Sequence, residues 1–212
     1  MHVLIINGSP RVKEYSNTDK ILEMFTKGLC ENGTTFEQYE VSDVKQWKKI
    51  REAYYNIIAL PLYVECIPGL LLEFLETLEP KNDDTGMAFI LQSGFAEGIQ
   101  LRCGETYLEI LAAKLGCEYL GTLVKGDNFS IRFFEGEQRN KVTEPYTEMG
   151  REYSKNGDFR SGACRKFTGP EVLPAHIRFI VGLLQKTLAK KMFKKIAENW
   201  GCTKAIDYRP YS

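Results

Sequence analysis

The stretch Val3-Leu4-Ile5-Ile6-Asn7-Gly8-Ser9-Pro10-Arg11, continuing to Ser16-Asn17-Thr18, runs from an apolar, β-branched segment into turn residues. It predicts a buried strand over Val3–Ile6, a loop, and then a helix. From Thr18 the apolar residues Ile21, Leu22, Met24, Phe25 and Leu29 fall at helical spacing, and Asn32-Gly33 supplies a left-handed stop. In the loop, Gly8 suits a tight turn, while Ser9, Ser16 and Thr18 offer hydroxyls beside Arg11 and the first helical amides. A helix start with those donors is suited to an anion such as phosphate. A plainer alternative is a connector in which Ser16 caps the helix and Asp19 supports it from the first turn.

Outward from this stretch, strand and helix periods alternate. Thr34–Val41 predicts a second strand and Val44–Tyr54 a polar helix. Asn56–Leu60 predicts a buried strand followed by Pro61-Leu62-Tyr63, then a proline-led helix over Pro68–Leu78. Gly86–Gln92 predicts the fourth strand, Ile99–Leu115 a helix stopped by Gly116, and Cys117–Val124 the fifth strand. Five apolar strands separated by helices describe an α/β protein with a parallel sheet covered on both faces. Gly126–Pro174 is polar and rich in Gly, Arg and aromatics, with one predicted helix near Glu144–Tyr153. Glu171–Trp200 predicts one long amphipathic helix carrying Ile177, Ile180, Val181, Leu184, Leu188, Met192 and Ile196 along one side. The expectation is one domain over 1–212, with a core at 1–125 and an elaborated end at 126–212.

Composition narrows the function. The 212 residues include 28 basic and 28 acidic ones, so no global field gathers nucleic acid or a membrane, and neither partner is predicted. The most apolar region, Ile57–Leu75, carries Pro61, Glu65, Pro68 and Glu73, which a membrane span tolerates poorly. Six scattered cysteines lack a C-x-x-C pair, and the only histidines are His2 and His176, so no metal site is predicted. Reduced thiols and the absence of a basic or secretory leader before Val3 point to a cytoplasmic protein.

Ligands of open parallel sheets sit beyond the carboxyl ends of the strands. Three loops there carry distinctive residues: Gly8–Thr18, Pro61–Val64 and Gln92–Gly98. The string Ile6-Asn7-Gly8-Ser9-Pro10-Arg11 with Ser16-Asn17-Thr18 resembles the phosphate loop of the flavodoxin-like NAD(P)H-dependent FMN reductases and NAD(P)H:quinone oxidoreductases. Gly8 has no partner glycine for a dinucleotide G-x-G-x-x-G, and no cysteine occupies the loop as in low-molecular-weight tyrosine phosphatases. The family's Pro-x-Tyr segment and proline-led helix find partial counterparts in Pro61-Leu62-Tyr63-Val64 and Pro68–Phe74; Leu72 replaces the family's lysine, and Glu76-Thr77 its Asp-Arg end. The resemblance covers Met1–Lys125 well and is only architectural beyond.

It implies a three-layer flavodoxin-like sandwich with strand order 2-1-3-4-5 and a C-terminal helical extension. It implies FMN held by Ser9, Arg11, Ser16, Asn17 and Thr18 at the phosphate, and by the Leu62, Tyr63 and Val64 amides, with Pro61, at the ring. Ser93, Gly94, Phe95 and Gly98 would border ring and ribityl chain. NADPH or NADH would donate hydride, and a quinone, flavin, nitro or azo compound or a metal chelate would accept the electrons. No side chain is assigned as catalytic; Tyr63, Cys66 and Glu97 are nearby candidates. The family also implies a homodimer. Two alternatives stand beside this enzyme: a flavodoxin-type electron carrier, for which a neutral chain is a poor fit, and a flavin-free fold serving a partner. The aromatics of Gly126–Pro174, including Phe129, Phe133 and Phe167, fit either core or flavin cover, and Arg132, Arg139, Arg160 and Arg165 fit either surface or a nicotinamide phosphate.

Overall fold

Short apolar runs that alternate two kinds of contact make the sheet. Val3, Ile5, Ile57, Ala59, Ala88 and Ile90 face one hydrophobic layer, and Leu4, Ile6, Ile58, Leu60, Phe89 and Leu91 face the other. Both faces are therefore buried, as a parallel sheet requires. A computed structural model describes residues 1–52, 57–81, 85–184, 188–205 and 208–209 of the chain. Its strands are β1 (His2–Asn7), β2 (Thr35–Glu40), β3 (Ile57–Pro61), β4 (Gly86–Gln92) and β5 (Glu118–Lys125). All pair in parallel in the order β2-β1-β3-β4-β5, the predicted arrangement. The strand order reverses between β1 and β3, which places a crevice at their carboxyl ends.

The helices are α1 (Asn17–Glu31), α2 (Trp47–Glu52), α3 (Gly69–Leu75), α4 (Arg102–Lys114), α5 (Gly136–Thr143), α6 (Pro145–Asn156), α7 (Gly162–Phe167), α8 (Ala175–Leu184) and α9 (Lys190–Asn199). Trp47, Ile50, Phe74 and Leu108 bring α2, α3 and α4 against one face of the sheet. Phe25, Met149 and Tyr153 bring α1 and α6 against the other. Ser16 caps α1 by accepting from the Asp19 amide at 3.2 Å, and Gly33 follows the helix at φ 76°.

The chain separates into two compact units, Met1–Val172 and Leu173–Ser212. Gly126–Val172 holds three helices, α5, α6 and α7, where a single one was expected. The expected long helix also changes: α8 begins at Ala175, not Glu171. Pro174 forces the preceding backbone out of the helical region, and Glu171 is engaged elsewhere, its carbonyl accepting from the Ile99 amide and its carboxylate from Arg102. Ala53, Tyr54 and Asn56, the ends of two predicted elements, lie outside the described residues, as do 185–187 between α8 and α9. Leu173–Ser212 carries eight basic residues against Glu198 and Asp207, a net +6; Met1–Val172 has 20 basic and 26 acidic residues, a net −6.

Candidate functional site

At the ends of β1, β3 and β4 the loops enclose a cavity of about 230 Å³, lined by Arg11, Asn17, Thr18, Pro61, Leu62, Tyr63, Val64, Gln92, Gly94, Phe95, Phe129 and Arg132. Most of the residues implicated from the sequence therefore meet in one place. Ser9, Ser16, Ser93 and Gly98 do not line it.

The loop after β1 is held by its own polar groups. The Asn7 amide donates to Asp19 Oδ2 at 2.9 Å, and its oxygen accepts from the Ser9 amide at 3.0 Å. Ser16 Oγ donates to Ser9 Oγ at 2.9 Å, which also accepts from the Arg11 amide at 3.3 Å. Ser9 and Ser16 are buried, so their hydroxyls brace the loop from beneath rather than face the cavity. Gly8 serves packing rather than a left-handed turn: a Cβ there would sit 2.7 Å from Leu71 Cδ2 and 3.1 Å from the Ala59 carbonyl. What α1 offers is its first turn, where the Asn17 and Thr18 amides have no intrahelical acceptor.

Two arginines converge on this helix start. The Arg11 guanidinium lies over the Tyr63 ring at 5.4 Å, and Arg132 lies over Phe129 and Phe133 at 5.7 and 5.5 Å. Burial, and then the positive charge of Arg11, hold Arg132 below its ordinary pKa. Like charges brought together in a partly desolvated cleft favour an anion between them.

The loop after β3 is a two-residue hairpin turn. Tyr63 and Cys66 exchange backbone hydrogen bonds at 2.9 and 3.1 Å, and between them Val64 and Glu65 sit at φ 51° and 64°. A left-handed β-branched residue is strained, by roughly 1–3 kcal/mol. The turn also changes which amides are available. The Leu62 amide donates to the Gln92 carbonyl at 2.8 Å and the Tyr63 amide to Cys66, so of the three amides expected at a ring only that of Val64 is left, joined by Glu65.

The third side is a clasp between the ends of β4 and β5. The Ser93 amide donates to the Lys125 carbonyl, Asp127 to Phe95, and Asn128 to Ser93. Ser93 Oγ accepts from the Phe95 amide at 3.3 Å, which spends it inside the loop. Gly98 packs instead on Thr168 and Glu171, its amide donating to the Pro170 carbonyl at 3.0 Å. Asn128 ties these parts to the helices. Its side chain donates to the Lys125 carbonyl and accepts from the Tyr146 hydroxyl, each at 3.0 Å, and its carbonyl accepts from Asn17 Nδ2 at 2.8 Å. That bond fixes the Asn17 amide so that Oδ1 is buried with no donor in reach. A buried acceptor without a donor suits a ligand hydroxyl or N–H.

From sequence Gln92 is named only as the start of the third loop, Phe129 as core or flavin cover, and Arg132 as surface or a nicotinamide-phosphate contact; none is assigned to the FMN itself. Gln92 leaves a trace there, as the one polar residue closing an apolar strand, and its Nε2 lies 3.4 Å from Thr18 Oγ1. Phe129 and Arg132 share an i,i+3 spacing in an aromatic run, a weak signal in an irregular segment. Cys66 is exposed beside the turn, and all six cysteines are free. Among the described residues no three His, Cys, Asp or Glu side chains are grouped so as to hold a metal ion.

No family model matches the chain, and no curated protein matches it in sequence. Solved structures do match in fold. The NAD(P)H:quinone oxidoreductase from Methanothermobacter marburgensis superposes with a TM-score of 0.51 at 16% identity, over 74% of this chain and 96% of that one. An azoreductase from Bacillus anthracis str. Sterne gives 0.52 at 13% identity, over 72% and 98%. An NADH:FMN oxidoreductase in its apo form gives 0.52 at 16% identity, over 83% and 98%. At these identities the likeness is one of fold, and it is the flavodoxin-like α/β sandwich.

Proposed function

We propose that this chain is an FMN-dependent oxidoreductase, taking hydride from NADH or NADPH and passing electrons to a quinone, flavin, nitro or azo compound. The observation that carries the reading is the convergence of Arg11 and Arg132 on the start of α1, opposite the exposed backbone of Val64 and the Gly94–Phe95 loop. The names of the structural neighbours, quinone reductase, azoreductase and NADH:FMN oxidoreductase, favour the same class.

The residues fit FMN part by part. Arg11, Arg132 and the Asn17 and Thr18 amides suit a phosphate. The orphan Asn17 Oδ1 accepts and cannot serve an anion, so it suits a ribityl hydroxyl. Tyr63, Phe95 and Phe129 offer apolar surface to a flat ring, and the Val64 and Glu65 amides offer donors to its carbonyls. When bound, FMN supplies the acceptance of hydride and its onward delivery as electrons; the protein supplies position and exclusion of water. Buried Ser9 and Ser16 keep the phosphate side rigid, and Asn128 fixes the distance between α1 and the β4–β5 clasp. The reading includes a homodimer and a reducing, cytoplasmic setting, the latter supported by the six free cysteines.

Purified protein incubated with FMN and passed through a desalting column is expected to retain flavin absorbance and to oxidise NADH or NADPH with a soluble quinone. Retained flavin with no turnover would replace the enzyme by an electron carrier. The net −6 of Met1–Val172 favours that second reading more than the neutral whole chain does, since an acidic surface suits a basic redox partner. No retained flavin would overturn both.

A further inference from the structure

The unit Leu173–Ser212 contains two helices with no buried residue in either. In α8 the only polar side chains are His176 and Arg178; Ile177, Phe179, Ile180, Val181, Leu183 and Leu184 spread over an arc of roughly 200°, and Arg178, Gly182 and Ala175 take the rest. Phe179 is 75% exposed. So wide an apolar face is ordinarily covered.

α9 is built differently. With about 100° between successive residues, Met192, Phe193, Ile196 and Ala197 fall in one arc, joined by Trp200 at the helix end. Lys190, Lys191, Lys194 and Lys195 take the opposite side around Glu198, which pairs with Lys194 at 3.9 Å, and Lys190 and Lys195 stand at its two borders. Trp200 is 65% exposed. Among the described residues no helix is long and apolar enough to cross a membrane.

We propose that this unit docks on the surface of an anionic lipid bilayer, with its helices lying in the interface. Three features choose lipid over a protein partner. All the cations of α9 are lysines, which are depleted at protein–protein interfaces but strongly attracted to anionic headgroups. Lysines bordering an apolar arc can lay their stems along it while the ammonium groups reach the headgroups. A fluid acyl layer also accepts an apolar face as wide as that of α8, for which a protein partner would need a matching groove. The charge division adds selectivity, because the unit Met1–Val172, at −6, is repelled by the same surface and only the +6 unit can lead the approach.

The test is flotation of the full-length protein with vesicles of phosphatidylcholine alone or with about one third phosphatidylglycerol. Binding is expected to the anionic vesicles at low salt and to fall at least tenfold in about 0.5 M salt. Lys190→Gln, Lys191→Gln, Lys194→Gln and Lys195→Gln are each expected to weaken partitioning by about fivefold. Phe193→Ser, which leaves the charge intact, is expected to weaken it further. Brominated acyl chains should quench Trp200, while Trp47, buried in the sheet-bearing unit, keeps its emission and reports that each variant is folded. No binding to anionic vesicles at low salt, or binding unaffected by the lysine changes, would overturn the proposal. So would a dimer in light scattering that Phe193→Ser dissociates while vesicles bind neither form, which would make the cover a second copy of the chain.

Discussion

In the proposed FMN site, Arg132 is the residue that would turn a capped helix start into an anion site. Alone, Ser16 and Asp19 make an ordinary cap, and that plainer reading of the loop is also what the structure contains. Arg132 adds a second guanidinium opposite Arg11 at some cost, since burial and like charge both oppose its protonated form. Charge-assisted bonds to the phosphate of a bound FMN would offset that cost. Arg132→Ala is therefore expected to weaken FMN binding about 10- to 100-fold, the range for losing a hydrogen bond to a charged group. Riboflavin, which lacks the phosphate, should bind the variant within about twofold of the parent. Fluorescence titration of both ligands decides the point. Equal losses would make Arg132 a packing residue for Phe129 and Phe133. The sequence could assign Arg11 to the phosphate because it sits in the loop, but it could name Arg132 only as surface or a nicotinamide-phosphate contact, because Arg132 folds back from far along the chain. Asn128 is equally remote, and its bond to Asn17 spans 111 residues.

The elements were legible where a local pattern determines them. Strands β1, β3, β4 and β5 lie within a residue or so of their apolar runs, because burial on both faces leaves little else in them. α5 was invisible for the opposite reason: Gly136–Thr143 has scarcely any apolar face to detect. The contact between α1 and α6 was equally hidden. It depends on Gly28 and Gly150, which bring the two backbones together: a Cβ on Gly28 would lie 1.9 Å from the Thr147 carbonyl oxygen, and one on Gly150 would lie 2.1 Å from that of Phe25. A carbonyl in a helix cannot rotate aside, so the helices must separate. Gly28→Ala is expected to cost at least about 2 kcal/mol despite alanine's better helix propensity. In thermal melts that is a fall of roughly 4–8 °C for a chain of this size. Gly162→Ala in α7, where a Cβ meets nothing, should not lower the melting temperature. Similar melts for the two variants would mean that the α1–α6 contact is loose.

At the scale of the whole chain, a net charge of zero conceals +6 on Leu173–Ser212 and −6 on Met1–Val172. Overall neutrality argued against a membrane partner, whereas a local +6 on amphipathic helices argues for one. If the cleft reduces quinones and the C-terminal unit holds the protein on lipid, the two properties combine in a single measurement. An acceptor dissolved in the bilayer is concentrated at the surface where the protein docks, so its effective concentration rises with docking and not with chemistry. With a long-chain quinone held in vesicles, NAD(P)H oxidation is expected to be several-fold faster for anionic than for neutral vesicles of equal quinone content. The difference should vanish in high salt and in the protein carrying all four Lys→Gln changes in α9. With a water-soluble quinone, lipid composition and the lysine changes should leave the rate unaltered. Turnover with the soluble quinone alone, in protein that floats with anionic vesicles, would separate docking from electron delivery. Absence of turnover with either quinone would count against the reductase and leave the docking untouched.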